Sequence, residues 1–186
     1  MRLLIMGPQG VGKGTQAALL SKRYGIPAIS TGDIFRYNLK NQTPLGVQAQ
    51  TYMDKGQLVP DDLTNRIVED RLGMDDVRNG WILDGYPRTI AQVHALDDML
   101  AQMDQQLDHV IALEASREVL FKRMEKRAKE EGRPDDTPAA IRERLETYDR
   151  ETAPLLDVFE QRGKLLSVDG VGEVDEINQR IIQGLS

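Results

Sequence analysis

Short apolar runs alternate with longer stretches in which apolar residues recur at helical spacing, and this alternation organises the whole chain. Leu3 to Met6 reads as a buried strand running into a glycine-rich turn, and Thr15 to Tyr24 as a helix with Ala17, Leu19 and Leu20 inward. Ala28 to Ser30 is a second short strand. Helical segments follow near Asp33 to Asn41 and Leu45 to Lys55, broken apart at Thr43-Pro44, and Pro60-Asp61-Asp62 opens another helix to about Leu72. The strand Trp81 to Leu83 ends at Asp84-Gly85, and a helix begins after Pro87. Leu107 to Leu113 is an apolar strand, after which Ser116 caps a basic helix reaching toward Lys129. Residues 130–136 interrupt it. A long helix follows Thr137-Pro138, the run Leu165 to Val168 precedes Asp169-Gly170, and a last amphipathic helix carries Ile177, Ile181 and Ile182.

Strands this apolar, separated by helices, predict an α/β fold in which a central parallel sheet is flanked by helices on both faces and joined by right-handed crossovers. Ligands then gather at the carboxyl ends of the strands. A chain of 186 residues without repeats or a long Pro/Gly/Ser linker predicts one domain. There is no cysteine, which excludes disulfides, thiolate zinc sites and a cysteine nucleophile. The balance of 24 Lys+Arg against 30 Asp+Glu gives a net charge of −6, without the broad positive field that draws in a nucleic-acid backbone. The opening Met1 to Met6 run is too short for a signal-peptide core or a membrane span, so the expectation is a cytoplasmic protein with neither nucleic acid nor membrane as partner.

Gly7-Pro8-Gln9-Gly10-Val11-Gly12-Lys13 matches G-x-x-x-x-G-K directly after a strand and before a helix. Glycines there let successive backbone N–H groups cradle phosphate oxygens, the helix N-terminus adds its dipole, and Lys13 brings a charge to the outer phosphates of ATP or GTP. Gly14 follows the lysine, which moves the hydroxyl that could approach Mg²⁺ to Thr15. No Asn-Lys-x-Asp stretch is present, which disfavours a regulatory GTPase. Asp84, at the end of a strand, suits a carboxylate aimed at Mg²⁺ through water; the alternative is a turn residue before Gly85.

Arg123 and Arg127 share one face of a helix, Arg133 sits in the interrupting loop and Arg144 on the next helix, so four cations could converge on one polyphosphate. The alternative is a solvated face paired to Glu118, Glu125, Glu130 and Glu143. Arg36 and Arg88, each after a glycine-containing turn, could hold a second phosphate by guanidinium forks. An acceptor phosphate oxygen is already ionised and needs no general base, so His94 and His109 read as structural or surface residues.

Residues 7–15, Ser30-Thr31-Gly32-Asp33-Ile34-Phe35-Arg36, Asp84-Gly85-Tyr86-Pro87-Arg88 and Gly132-Arg133-Pro134-Asp135-Asp136 together resemble the adenylate kinase family over nearly the whole chain. The resemblance implies a P-loop three-layer fold with a helical AMP-binding insert at 30–59, a short lid at 126–136 and a core of 1–29, 60–125 and 137–186. It implies reversible, Mg-dependent transfer between ATP and AMP to give two ADP. Gly10, Val11, Gly12, Lys13, Gly14 and Thr15 would hold the ATP phosphates, with Arg123 against the adenine, Arg127 on the lid side and Gly172 near the ATP base. Arg88, Arg133 and Arg144 would neutralise the transferring phosphoryl group, and Lys13 would track it. Arg36 and Arg88, with Arg133 and Arg144 in reach, would hold the AMP phosphate, while Thr31, Gln92 and the backbone of Gln57, Leu58 and Val59 would surround its base and Gly85 would allow close approach. Asp84, with Thr15, would orient the water shell of magnesium. Asp135 and Asp136 would serve lid closure or arginine positioning. The long-lid form binds metal through cysteines, so zinc is not expected, and short-lid members are usually monomers.

Two rivals differ in consequence. A UMP/CMP-type kinase would share fold and mechanism, but those enzymes tend to carry Ala and Asn where this chain has Thr31 and Gln92. A non-catalytic nucleotide-binding protein would have no need for a second group of arginines at an acceptor phosphate.

Overall fold

The computed structural model describes residues 1–133 and 135–186. Pro134, quoted in the lid motif, lies outside the described residues. A five-stranded, all-parallel sheet forms the middle layer in the order β2-β3-β1-β4-β5, with β1 at Arg2–Met6, β2 at Ala28–Ser30, β3 at Trp81–Asp84, β4 at His109–Glu114 and β5 at Leu165–Asp169. The strands before β4 lie on one side of β1 and the later ones on the other, so the chain changes direction at β1. A crevice opens where connections diverge in this way.

Alternation along β1 builds the two outer layers. Leu3 and Ile5 face a core shared with α1 (Lys13–Tyr24), α6 (Arg117–Glu131) and α9 (Val174–Gly184), through Leu20, Leu120, Met124, Ile177 and Ile181. Leu4 and Met6 face the opposite core, with α4 (Asp61–Leu72), α5 (Ile90–Gln102) and α8 (Pro154–Gln161) contributing Val68, Leu96 and Phe159. Both faces of the sheet are thus covered, which is why its strands read as continuous apolar runs.

Helix ends follow local chemistry. Ser30, Thr43, Thr89, Ser116 and Thr137 each accept a backbone N–H with their hydroxyl, capping α2 (Thr31–Lys40), α3 (Pro44–Asp54), α5, α6 and α7 (Pro138–Thr147). Helices α2 and α3 pack on each other and close a separate small core of Phe35, Ala49, Met53 and Val59. That core sits beside the crevice.

Several expectations need correction. The helix from Ser116 continues through Glu130 and Glu131 and stops at Gly132, whose φ of 59° caps it in the left-handed region, so the helix ends at Glu131 and not before Glu130. The long helix after Thr137-Pro138 is three pieces: α7, a π-helical turn at Tyr148–Thr152, and α8. Pro154 starts the last piece because it has no N–H to continue the α ladder. Strand β4 begins at His109 rather than Leu107. In α1 the buried positions are Gln16, Ala17 and Leu20, with Leu19 only half-buried. A polar residue takes the inward place because it has partners there.

Candidate functional site

The phosphate loop leaves β1 between the ends of β3 and β4. Gly10, at φ 86°, lies under α6: a Cβ there would stand 3.0 Å from Met124 Cγ and 3.1 Å from the Leu120 carbonyl oxygen, so only glycine lets the loop pass. Lys13, the first residue of α1, turns its ammonium back over the loop and donates to the carbonyls of Gly7 at 2.9 Å and Pro8 at 3.2 Å. Burial pushes its pKa down to about 8; Asp84 opposes the shift, and the positive charges of Arg88 and Arg127 add to it. Asp84 ends β3 opposite Ile5, with Oδ2 3.7 Å from where a Cβ on Gly14 would stand. Thr15 lies exposed on the first turn of α1.

The four arginines of the lid region divide into three settings. Arg127 grips Asp136 with Nε at 2.9 Å and Nη2 at 3.1 Å. Arg144 donates to Asp136 at 2.7 Å, to the Asp135 carboxylate at 2.6 Å, and to the carbonyls of Asp135 and Met53. Both carboxylates are buried, so two ions of each sign neutralise one another away from water. Arg133 is held separately by Glu131 at 2.5 Å. Arg123 bridges the carbonyls of Val11 and Gly170, tying the phosphate loop to the turn after β5. The solvated-face alternative does not describe Arg123, Arg127 or Arg144, since Glu118 pairs with Lys122, Glu130 with Lys126, and Glu143 accepts from Thr147; Arg133, on the exposed Glu131, does form a surface pair. Asp135 and Asp136 position arginines.

On the other side of the crevice, Arg36 pairs with Asp33 at 2.6 Å on α2. Arg88 folds its Nε onto the Gly85 carbonyl at 2.7 Å, and burial pushes its pKa below the usual guanidinium range. The Thr31 hydroxyl donates to the same carbonyl at 3.0 Å, which leaves its lone pairs as acceptors. Gln92 accepts from the Arg88 backbone N–H at 2.7 Å and donates to Asp61 at 2.8 Å. Gln57, Leu58 and Val59 follow the end of α3; Val59 is buried and its carbonyl accepts from Thr64.

Gly172 lies in the turn between β5 and α9, which is held by arginines from two helices. Arg123 takes the carbonyl of Gly170, and Arg180 takes those of Asp169 at 3.0 Å and Val171 at 2.8 Å. Gln16 completes the clamp: it donates to Val174 and accepts from Asn178, both at 3.0 Å. Sequence reasoning missed Gln16, Asp61 and Arg180. A glutamine on the apolar stripe of α1 was the one available signal; the other two look like ordinary helix-surface charges.

One cavity of about 880 Å³ collects these groups. Its walls include Gly10 to Thr15, Thr31, Arg36, Gln57, Leu58, Val59, Asp84, Gly85, Arg88, Gln92, Arg123, Arg127, Arg133, Arg144 and Gly172, so every candidate residue faces the same space. His94 and His109 are not part of its walls. The cavity's walls join the phosphate loop, the arginines of both groups and the Asp84 carboxylate. That arrangement suits two phosphorylated ligands meeting head to head.

Comparison with known proteins points the same way. The family model described as adenylate kinase matches residues 5–164. The chain is 69% identical over 185 residues to an adenylate kinase of Bifidobacterium longum (strain NCC 2705), with 100% of each chain covered. It is 54% identical to an adenylate kinase of Kocuria rhizophila, covering 99% of this chain and 98% of the relative. It is also 54% identical to one from Clavibacter michiganensis subsp. michiganensis, covering 100% of this chain and 92% of the relative.

Proposed function

The chain belongs to the adenylate kinase family, whose reaction is Mg-dependent phosphoryl transfer from ATP to AMP to give two ADP, and we propose how its own residues divide that work. The observation that carries the reading is the single cavity in which the phosphate loop faces Arg36 and Arg88. A nucleotide binder without transfer has no use for the second pair.

In this reading the backbone N–H groups of Gly10 to Thr15 hold the ATP phosphates, and Lys13 follows the transferring group. Arg123 and the Gly172 turn receive the ATP base, and Arg127 closes over the phosphates. Arg36 and Arg88 hold the AMP phosphate; Thr31, Gln92 and residues 57–59 surround its base. Arg88, Arg133 and Arg144 offset charge as it develops on the transferring group. The acceptor oxygen is ionised before reaction, so positioning and electrostatics suffice.

Asp84 and Thr15 fit magnesium: both offer hard oxygen donors beside the phosphate loop, and magnesium keeps most of its ligands as water and phosphate oxygens. Bound with ATP, the ion supplies neutralisation of phosphate charge. Residues 30–59 act as the AMP insert and 126–136 as a short lid on a core of 1–29, 60–125 and 137–186. Their closure excludes water that would otherwise accept the phosphoryl group. The protein works as a cytoplasmic monomer. Among the described residues, no helix is long and apolar enough to cross a membrane.

Incubation with MgATP and each of AMP, UMP, CMP and GMP, with every product measured by chromatography, tests the assignment. ADP formed from ATP and AMP alone is the expected result. Preference for a pyrimidine monophosphate overturns the base assignment to Thr31 and Gln92, and ATP binding without any transfer overturns the roles given to the arginines.

A further inference from the structure

Asp61 opens α4, the helix that follows the AMP insert in the chain. Its Oδ1 accepts from Gln92 Nε2 at 2.8 Å and from Thr89 Oγ1 at 3.1 Å. The other end of the same amide, Gln92 Oε1, accepts from the Arg88 backbone N–H at 2.7 Å. An ionised carboxylate only accepts and a backbone N–H only donates. One orientation of the Gln92 amide satisfies both partners: nitrogen toward Asp61, oxygen toward Arg88.

That orientation leaves one N–H and one oxygen lone pair uncommitted on a side chain that is 2% exposed and lines the cavity. A donor and an acceptor side by side on a planar amide match an adenine edge, where an acceptor ring nitrogen lies beside the exocyclic amino group. A 6-oxopurine presents the reverse order, an oxygen acceptor beside a ring N–H, and meets this amide donor to donor and acceptor to acceptor. We propose that Asp61 is a specificity-determining positioning residue, which locks the Gln92 amide in the sense that reads adenine and rejects 6-oxopurine monophosphates. The inference rests on the reading of Gln92 as a contact to the AMP base. Tyr86 reinforces the same junction, since its hydroxyl donates to Asn65 of α4 at 2.8 Å. One half of the lock therefore lies on the helix that follows the insert, and the other half is the Arg88 backbone N–H.

The test is phosphoryl transfer from MgATP to AMP and to IMP by the wild type, Asp61→Asn, Asp61→Ser, Asp62→Asn and Gln92→Ala, with a melting temperature for each. Asparagine and serine at position 61 can donate as well as accept, so they no longer dictate which end of the amide faces them. The AMP-over-IMP ratio of kcat/KM falls about tenfold in both position-61 variants, chiefly through KM for the monophosphate, with KM for ATP unchanged. Asp62→Asn removes a charge from the same helical turn without touching Gln92 and keeps the wild-type ratio. A wild-type ratio in either folded position-61 variant, alongside a lost ratio in Gln92→Ala, overturns the role of Asp61 and spares that of Gln92. Equal losses at positions 61 and 62 overturn it too, by pointing to the charge of the helix terminus. An unchanged ratio in Gln92→Ala overturns the base reading, and the lock with it.

Discussion

The Oδ1 atom of Asp136 accepts from Arg144 at 2.7 Å, and no part of that carboxylate is exposed to water. The same group holds Arg127, so one buried anion fixes two of the guanidinium groups that border the cavity. Removing it takes the ion-pair partner from Arg127 and leaves Arg144 with Asp135 alone.

Asp136→Ala is therefore expected to lower stability by about 3 kcal/mol, which for a chain of this size lowers Tm by roughly 6–12 °C. Turnover falls as well, because Arg127 and Arg144 lose their aim. Calorimetry and steady-state kinetics on the one variant check both parts, and a native Tm would refute the pairing as a stabilising element.

Lys13 makes ATP binding depend on pH in a definite sense. Its pKa near 8 in the free protein rises when a triphosphate lies beside it, so the complex holds a proton that the free protein is losing. Binding takes up protons near pH 8, and Kd for ATP increases as pH rises from 8 to 9.5. The fold itself responds in the opposite direction. The unfolded chain keeps the lysine proton until about 10.5, so between about 8 and 10.5 it binds more protons than the native state and stability rises with pH. Titration calorimetry in two buffers of different ionisation enthalpy measures the proton uptake, which Lys13→Met should abolish.

Arg88 is held by a carbonyl rather than a carboxylate, and burial already disfavours its charge. Arg88→Met is expected to lower kcat by about 10²–10³-fold, the scale for removing a preorganised charged donor. Tm stays the same or rises, because the free protein sheds a buried cation that forms no direct ion pair among the described residues and is only partly offset by Asp84. Near-normal turnover in this variant would remove Arg88 from the transfer step.

Gly85 has a φ of 84°, and a Cβ there would stand 2.8 Å from both the Thr31 hydroxyl and Arg88 Nη2. Gly85→Ala pushes at once on Thr31 and Arg88, which we propose to meet the AMP base and phosphate. KM for AMP should rise about tenfold while KM for ATP changes less than about twofold, an asymmetry that initial-rate kinetics resolves. Equal changes in both would place the disturbance in the sheet instead.

Much of this protein was legible along the chain because its determinants are local. The phosphate loop needs only a strand, glycines and a helix start within a dozen residues, and the cap at Ser116 acts within three positions. The apolar runs of β1, β3 and β4 report burial on both faces directly, so the layered parallel sheet followed from them. What the chain could not display were choices between partners far apart in sequence. Arg127 had Glu130 and Glu131 nearer at helical spacing, yet it pairs with Asp136, and Arg144 pairs with Asp135 and Asp136, because those two carboxylates are buried between α6 and α7. Gln16 replaced Leu19 inside because Val174 and Asn178 of α9 offer it hydrogen bonds. Asp61 meets Gln92, 31 positions away, only once α4 and β3 have packed and brought the starts of α4 and α5 together. Periodicity sets which face of an element is buried; only packing decides which polar atoms meet there, since a buried hydrogen bond depends on angles and distances among several elements at once.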